Sequence, residues 1–485
     1  MRLKVVLHYI GLLIAGVGFS MFVPLACSIV YRESDWLAFV ISIGISMVSG
    51  LLIWRLTLIG EGEGKVSQRE AIMLVAGGWI LASAFGALPY VFAGTFHSYL
   101  NAYFESMSGF TATGATVITS IESQTHGILL WRSFSQWLGG MGIITLFVAL
   151  FPMLGMGAAH LVEAEMSGLQ TQRLTARIRD AAKTVWFLYL IFSFAEVASL
   201  AIAGMPLFDS LAVTFSTMAT GGFTPTNASV GAYNSLTIES IVIIFMVLAG
   251  TNFGLYYFFL WKRQPGRLFK NAEFQLYLAI LVGASLFVAL DLIINGGQPV
   301  GEAFRYGSFN TISVMTTTGF VTADFNLWPA FSKTVLLILM IIGGSAGSTS
   351  GAIKVIRLLV LSKYIYRRIR LSINPRTVIP LKVGGSVVSE EVVSKIISMS
   401  TLYIAFLTLA FLALTTMGID QVTAVSAVAT NMGTVGPGLG AVGPMVNYLW
   451  VPSAGKIILM LCMLVGRLEL FTVLALFTPT FWKWR

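Results

Sequence analysis

The chain has 485 residues, 56% of them hydrophobic and only 11% charged, with mean hydropathy +0.84 and a formal net charge of +9. A soluble domain carries roughly 25% charged residues, so the composition excludes a soluble enzyme and describes a polytopic membrane protein. The two cysteines, Cys27 and Cys462, lie in apolar segments, and the four histidines are scattered; neither a disulfide framework nor a metal-ligand set is readable.

Taken in order, apolar stretches of the roughly 20 residues that a bilayer-crossing helix needs run over 5–30, 36–59, 71–94, 127–158, 184–204, 237–261, 272–294, 331–361, 396–417 and 454–480. No small-residue cleavage site follows the first, so it is expected to stay as a helix rather than be removed as a signal peptide. Ten spans put both termini on one side. If that side is cytoplasmic, 24 of the 30 basic residues lie inside. Among them are Arg2, Lys4, Lys65, Arg173, Arg177, Arg179, Lys354, Arg357 and Arg485. Arg32, Arg132, Arg305, Lys333 and Lys456 lie outside, and Arg467 lies within a span. This is the positive-inside bias of a membrane protein. It removes nucleic acid as the reason for the net charge, since anionic lipid beside the cytoplasmic loops accounts for it.

The outside connections 95–126, 205–236, 295–330 and 418–453 are too apolar for solvated loops and too broken for spans. Each reads as a short helix followed by a polar return, a candidate re-entrant element. They resemble one another. The first carries Thr111-Ala112-Thr113-Gly114-Ala115, the second Ala219-Thr220-Gly221-Gly222-Phe223. The third carries Thr316-Thr317-Thr318-Gly319-Phe320, and the fourth Thr430-Asn431-Met432-Gly433-Thr434. Anchored on Gly114, Gly221, Gly319 and Gly433, the separations are 107, 98 and 114 residues. Repetition at such a period organises the whole fold. The expectation is an all-α integral membrane protein with four helix–pore-loop–helix repeats in pseudo-fourfold arrangement, preceded by two extra helices. Residues 1–65 form the leading pair. The repeats cover 66–165 (loop 111–116), 166–265 (loop 218–223), 266–385 (loop 316–321) and 386–485 (loop 430–436). Non-helical backbone at membrane depth is tolerated where it lines a water-filled path. Rings of four carbonyls replace the hydration shell of a potassium ion, and the C-terminal ends of the short helices favour a cation.

With these loops in view, the sequence resembles the Trk, Ktr and HKT superfamily of potassium transport proteins, and most closely the TrkH-type membrane subunits of bacterial potassium uptake systems. The resemblance covers nearly the whole chain and implies gated, channel-like potassium uptake across the bacterial inner membrane. The implied filter residues are Thr111, Ala112, Thr113 and Gly114; Ala219, Thr220 and Gly221; Thr316, Thr317, Thr318 and Gly319; and Asn431, Met432 and Gly433. The fourth loop departs most from the pattern. Related plant transporters that favour sodium carry serine for the first glycine, so Gly114 leans towards potassium. The resemblance also implies a homodimer and a cytosolic nucleotide-binding regulatory partner of the TrkA type. The basic segment 362–395 is a candidate dock for it, or else for lipid. No phosphate-binding motif is present in this chain, so nucleotide control would sit elsewhere.

Two departures lie inside spans. Gly343-Gly344-Ser345-Ala346-Gly347-Ser348-Thr349-Ser350-Gly351 will not hold a regular helix. It reads as a kink for close packing or as a loop across the conduction path, and the resemblance implies the second, a gate. Arg467 is costly near the bilayer centre. It reads either as half of an ion pair with Glu196 or Glu469, or as a fixed positive charge under the filter. Glu105 reads as a polar contact holding the first loop, the favoured reading, or as a secondary cation attractor. An enzyme lacks support, since no acid–base pair, nucleophile elbow or ligand cluster is visible. A secondary transporter coupling potassium to protons or sodium is the alternative, although its inverted repeats are not seen. No cofactor is expected; potassium is the substrate.

Overall fold

The computed structural model describes residues 2–58, 66–149, 174–260 and 262–483, with side chains of 143–149 and 174–182 excluded. The inner end of the 127–158 span, the basic residues Lys65, Arg173 and Arg485, and the side chains of Arg177 and Arg179 therefore lie outside the described residues. Among the described residues, six helices are long and apolar enough to cross a membrane: Leu3–Tyr31, Trp36–Leu56, Gln68–Phe92, Lys183–Ile202, Ala272–Ile294 and Glu390–Thr415. Large apolar side chains such as Val282, Phe287 and Leu409 point outwards from them, as lipid-facing surface requires. The leading helices cross closely because Gly11 and Gly50 leave no side chain between them: a Cβ on Gly11 would lie 2.7 Å from the Gly50 carbonyl oxygen. Small residues permit such approaches between membrane helices.

Among the described residues the second span of the first repeat, His126–Ala149, is one unbroken helix, and three further spans are interrupted. In the second repeat, Leu236–Ala249 and Phe253–Leu260 meet at a bend of 99°, where the sequence predicts one helix over 237–261. Apolar periodicity misses this break because only Gly250-Thr251-Asn252 marks it. In the third repeat, Ala330–Ile342 ends at Gly343, with φ 73°, and the helix resumes at Val355–Ile373. In the last repeat, Ser453–Leu468 is followed by Leu470–Ala475 across Glu469, with φ 63°. A two-stranded antiparallel ribbon pairs Lys382 with Val387 and Val383 with Ser386. It lies on the same side as the end of Val355–Ile373, where the Lys363 ammonium donates to the Lys382 carbonyl.

Four short helices lie between the spans: Tyr99–Phe110, Leu207–Ala219, Val300–Met315 and Gln421–Gly433. These are the pore helices of repeats one to four. Asp209 and Glu302 stand in first turns and Asp420 is an N-cap, where acids complement the helix dipole. Hydrogen bonding from Thr423 holds the Asp420 carboxyl below the usual carboxylate range, so it stays anionic at neutral pH. The largest buried cluster joins the leading helices to the first and last repeats through Phe39, Tyr90, Phe104, Trp131, Tyr448 and Leu459. That cluster closes the bundle around its axis.

Candidate functional site

Each pore helix ends in the same backbone figure. A non-glycine residue takes a left-handed conformation, and a glycine two positions later takes positive φ. The pairs are Ala112 (52°) with Gly114 (82°), Thr220 (53°) with Gly222 (83°), Thr317 (59°) with Gly319 (81°), and Thr434 (54°) with Gly436 (95°). Left-handed alanine and threonine are strained, so tertiary contacts must hold these turns.

Those contacts form a ring. A Cβ on Gly114 would overlap the Gly221 carbonyl oxygen, one on Gly222 the Thr318 carbonyl oxygen, and one on Gly319 the Val435 carbonyl oxygen. A Cβ on Gly436 would lie 2.7 Å from the Thr113 carbonyl oxygen. In every case the neighbour is the residue before the glycine of the next loop, and the fourth loop returns to the first. Glycine is required at all four positions by both φ and space.

This corrects the register read from sequence at two loops. Gly114 and Gly319 stand where the spacing put them. In the second loop the matching glycine is Gly222, one residue after Gly221, and Ala219 is the last residue of its pore helix. In the fourth loop Asn431, Met432 and Gly433 still belong to the helix, and the turn is Thr434-Val435-Gly436. Gly433 serves packing instead: a Cβ there would overlap the Met340 carbonyl oxygen, and one on Gly466 that of Met432. Thr111 and Thr316 cap their helices, and their hydroxyls lie 2.8 and 2.9 Å from those of Thr113 and Thr318.

The returns are fastened by one recurring device. The amide three residues past the ring glycine needs an acceptor, since a buried unpaired N–H is costly. Glu105 accepts from Val117 N at 2.9 Å, Asn310 from Thr322 N at 3.4 Å, and Ser426 Oγ from Leu439 N at 2.9 Å. In the second loop that position is Pro225, which has no N–H, and the helix residue matching Glu105 is the apolar Val213. There Gln136 takes over, donating to the Gly221 carbonyl at 2.6 Å and accepting from Phe223 N at 3.1 Å. Glu105 thus has the loop-holding role expected of it.

Glu105 also forms a buried ion pair with Arg132 at 2.8 Å, with exposures of 0% and 1%. Arg132 donates to the Thr224 carbonyl and stacks on Phe223, 4.1 Å from the ring centre, so it ties loop one to loop two. Removing one partner of a buried pair costs about 3–5 kcal/mol. Glu105→Leu is therefore expected to lower the thermal unfolding midpoint of detergent-purified protein clearly. Glu105→Asn, which copies Asn310, is expected to lower it less. Equal midpoints for the two variants would refute this assignment.

Beneath the ring lies the Gly/Ser segment. It runs from Gly343 to Lys354, three residues beyond the expected 343–351. Ser350 Oγ donates to the Thr316 carbonyl at 2.8 Å, and Gly351 N to the Thr317 hydroxyl at 3.0 Å. A Cβ on Gly351 would overlap the Thr434 hydroxyl. The segment therefore abuts loops three and four directly. Glu273 accepts from Ala346 N at 2.6 Å. Gly344, Ser345, Gly347, Ser348 and Thr349 complete this turn.

Arg467, 3% exposed, donates to the Thr349 carbonyl at 2.6 Å and to the Gly139 carbonyl at 3.2 Å. The ion pair with Glu196 or Glu469, one of the two readings of its sequence position, is not formed among the described residues; Glu469 pairs with Arg357 instead. Arg467 acts on the segment through backbone carbonyls. Sequence reasoning did not single out Gly222, Val435, Gly436, Gln136, Arg132 or Tyr448, whose hydroxyl donates to the Gly436 carbonyl at 2.8 Å.

Comparison with known proteins agrees with this architecture. A family model described as TrkH, cation transport protein, matches residues 46–483. The Trk system potassium uptake protein TrkH of Salmonella typhimurium is 35% identical, with 100% of each chain covered. The Trk system potassium uptake protein TrkG of Escherichia coli (strain K12) is 31% identical, with 99% of each covered. The crystal structure of the potassium transporter TrkH from Vibrio parahaemolyticus superposes with TM-score 0.91 at 35% identity, covering 100% of both chains.

Proposed function

Since the chain belongs to the TrkH family of cation transport proteins, we propose that it takes up potassium across a bacterial inner membrane, through a gated, channel-like path along the axis of its four loops. It is a transport protein and not an enzyme. The observation that carries the reading is the closed ring of glycine–carbonyl contacts, which sets four loops around one axis. On this reading the filter is Thr111–Gly114, Thr220–Gly222, Thr316–Gly319 and Thr434–Gly436, with backbone carbonyls replacing the ion's water.

The segment 343–354 is the gate and Arg467 its latch. The arrangement described is the closed one, because the Ser350 hydroxyl occupies a carbonyl of loop three. The exposed Arg368, Arg370 and Arg376 support docking of an acidic cytosolic partner of the TrkA type. The membrane subunit works as a homodimer with both termini cytoplasmic.

The test is ion flux into liposomes containing the purified protein. The expected result is potassium influx above sodium influx, following the potassium gradient alone. A fixed proton or sodium stoichiometry would replace this reading by symport.

A further inference from the structure

The gate segment does not rest on the filter alone. It is seated in the break of the second repeat. At the end of Leu236–Ala249 the last carbonyls lose their helical donors, and the gate supplies new ones. Ser345 N donates to the Gly250 carbonyl at 2.9 Å. Thr349 donates to the Ala249 carbonyl through both its amide at 3.4 Å and its hydroxyl at 3.2 Å. In return Phe253 N, which opens the next helix, donates to the Gly347 carbonyl at 3.1 Å.

Asn252 sits at the corner. Its Oδ1 accepts from Gly254 N at 2.8 Å, and a Cβ on Gly347 would lie 2.9 Å from that oxygen. Gly347 has φ 75°, so the gate backbone is shaped to the asparagine. Two broken helices from different repeats thus satisfy one another. Either break alone would leave polar backbone unpaired at membrane depth, which is tolerated only against protein or water.

We propose that the break at Gly250-Thr251-Asn252 is the seat that holds the gate segment shut, with Thr349 and Asn252 as positioning residues. The seat sets the closed side of the gating equilibrium. Opening separates the Ala249 and Gly250 carbonyls from their donors, so it proceeds only as water enters beneath the filter to replace them. The same seat explains the 99° bend: a continuous helix at 236–260 would occupy its own carbonyls and offer the gate nothing.

This inference rests on the reading of 343–354 as a gate, and the experiment separates the two. Thr349→Val removes the hydroxyl donor and keeps the carbonyl that Arg467 holds. Asn252→Ala removes the acceptor of Gly254 N and the side chain that faces Gly347. Each is measured for potassium and sodium flux in liposomes without any partner protein, beside a variant in which 345–350 are deleted. The expected result is a basal potassium flux raised severalfold, up to about tenfold, in Thr349→Val, the factor that one lost hydrogen bond carries in a two-state equilibrium, and raised in the same direction in Asn252→Ala, which unfastens the corner that Gly347 packs against. The potassium-to-sodium ratio stays unchanged, whereas a merely structural defect would lower flux and selectivity together. If the deletion raises flux and both point variants stay at the basal level, the seat is refuted and the gate stands. If the deletion also leaves flux unchanged, the gate itself is refuted.

Discussion

Gly319→Ala is expected to reduce potassium influx into liposomes by about 10- to 100-fold and to weaken discrimination against sodium. A side chain at its φ of 81° costs about 1–3 kcal/mol, and each 1.4 kcal/mol is about tenfold. Relaxation is blocked on two sides. The new Cβ falls on the Val435 carbonyl oxygen, and Pro437 Cδ lies 3.0 Å away. The displaced carbonyl belongs to loop four, so strain introduced in one loop passes to the next. Gly436→Ala should act alike, since its Cβ would meet the Thr113 carbonyl oxygen at 2.7 Å. Gly433→Ala should instead lower stability while leaving the flux ratio near wild type, because that glycine packs on Met340. The contrast between Gly433 and Gly436 is the measurement that fixes the register. A wild-type flux ratio in both Gly319→Ala and Gly436→Ala would remove the ring from selectivity.

Arg467→Ala should raise cation flux by about tenfold or more. Hydrogen bonds from a charged donor are worth about 1.5–3 kcal/mol, and Arg467 makes two, to Thr349 and Gly139. On the proposed reading, their loss frees the gate and removes a positive charge from below the filter. Arg467→Lys separates these effects, because lysine keeps the charge and lacks the planar fork. Flux in the lysine variant should approach that of the alanine variant, since the latch dominates. Flux held at the wild-type level by lysine would assign the effect to charge alone. Unchanged flux in Arg467→Ala with folding intact would dismiss both roles.

The architecture was legible in the sequence because hydropathy reports spans residue by residue and the loops recur at a period near 100. Gly114 and Gly319 were legible because each is the one glycine in its Thr-rich turn. The register failed where glycine does two jobs. Gly221 adjoins Gly222, and Gly433 fills a helix contact three residues before the ring position. The left-handed residues Ala112, Thr220, Thr317 and Thr434 carry no sequence signal, since their conformation is imposed by tertiary contact. Arg132, counted only as an outside charge, is a buried clamp whose partners lie in two repeats. The break at 250–252 is hidden inside an apolar run, although an asparagine two residues after a glycine was an available helix-end signal.

The join between the last loop and the first has a bearing on biosynthesis. Tyr448 N donates to the Thr116 carbonyl at 2.8 Å, and Gly436 nests against Thr113. Domains of a growing chain assemble from the N-terminus onwards. Until the final repeat emerges, the ring of four loops lacks its last member, and the proposed ion path is not enclosed. On the proposed reading, a ribosome-bound or prematurely ended chain is expected to leave the membrane's ion gradients intact. On that reading, competence to conduct arrives in one step, with the last segment to be inserted.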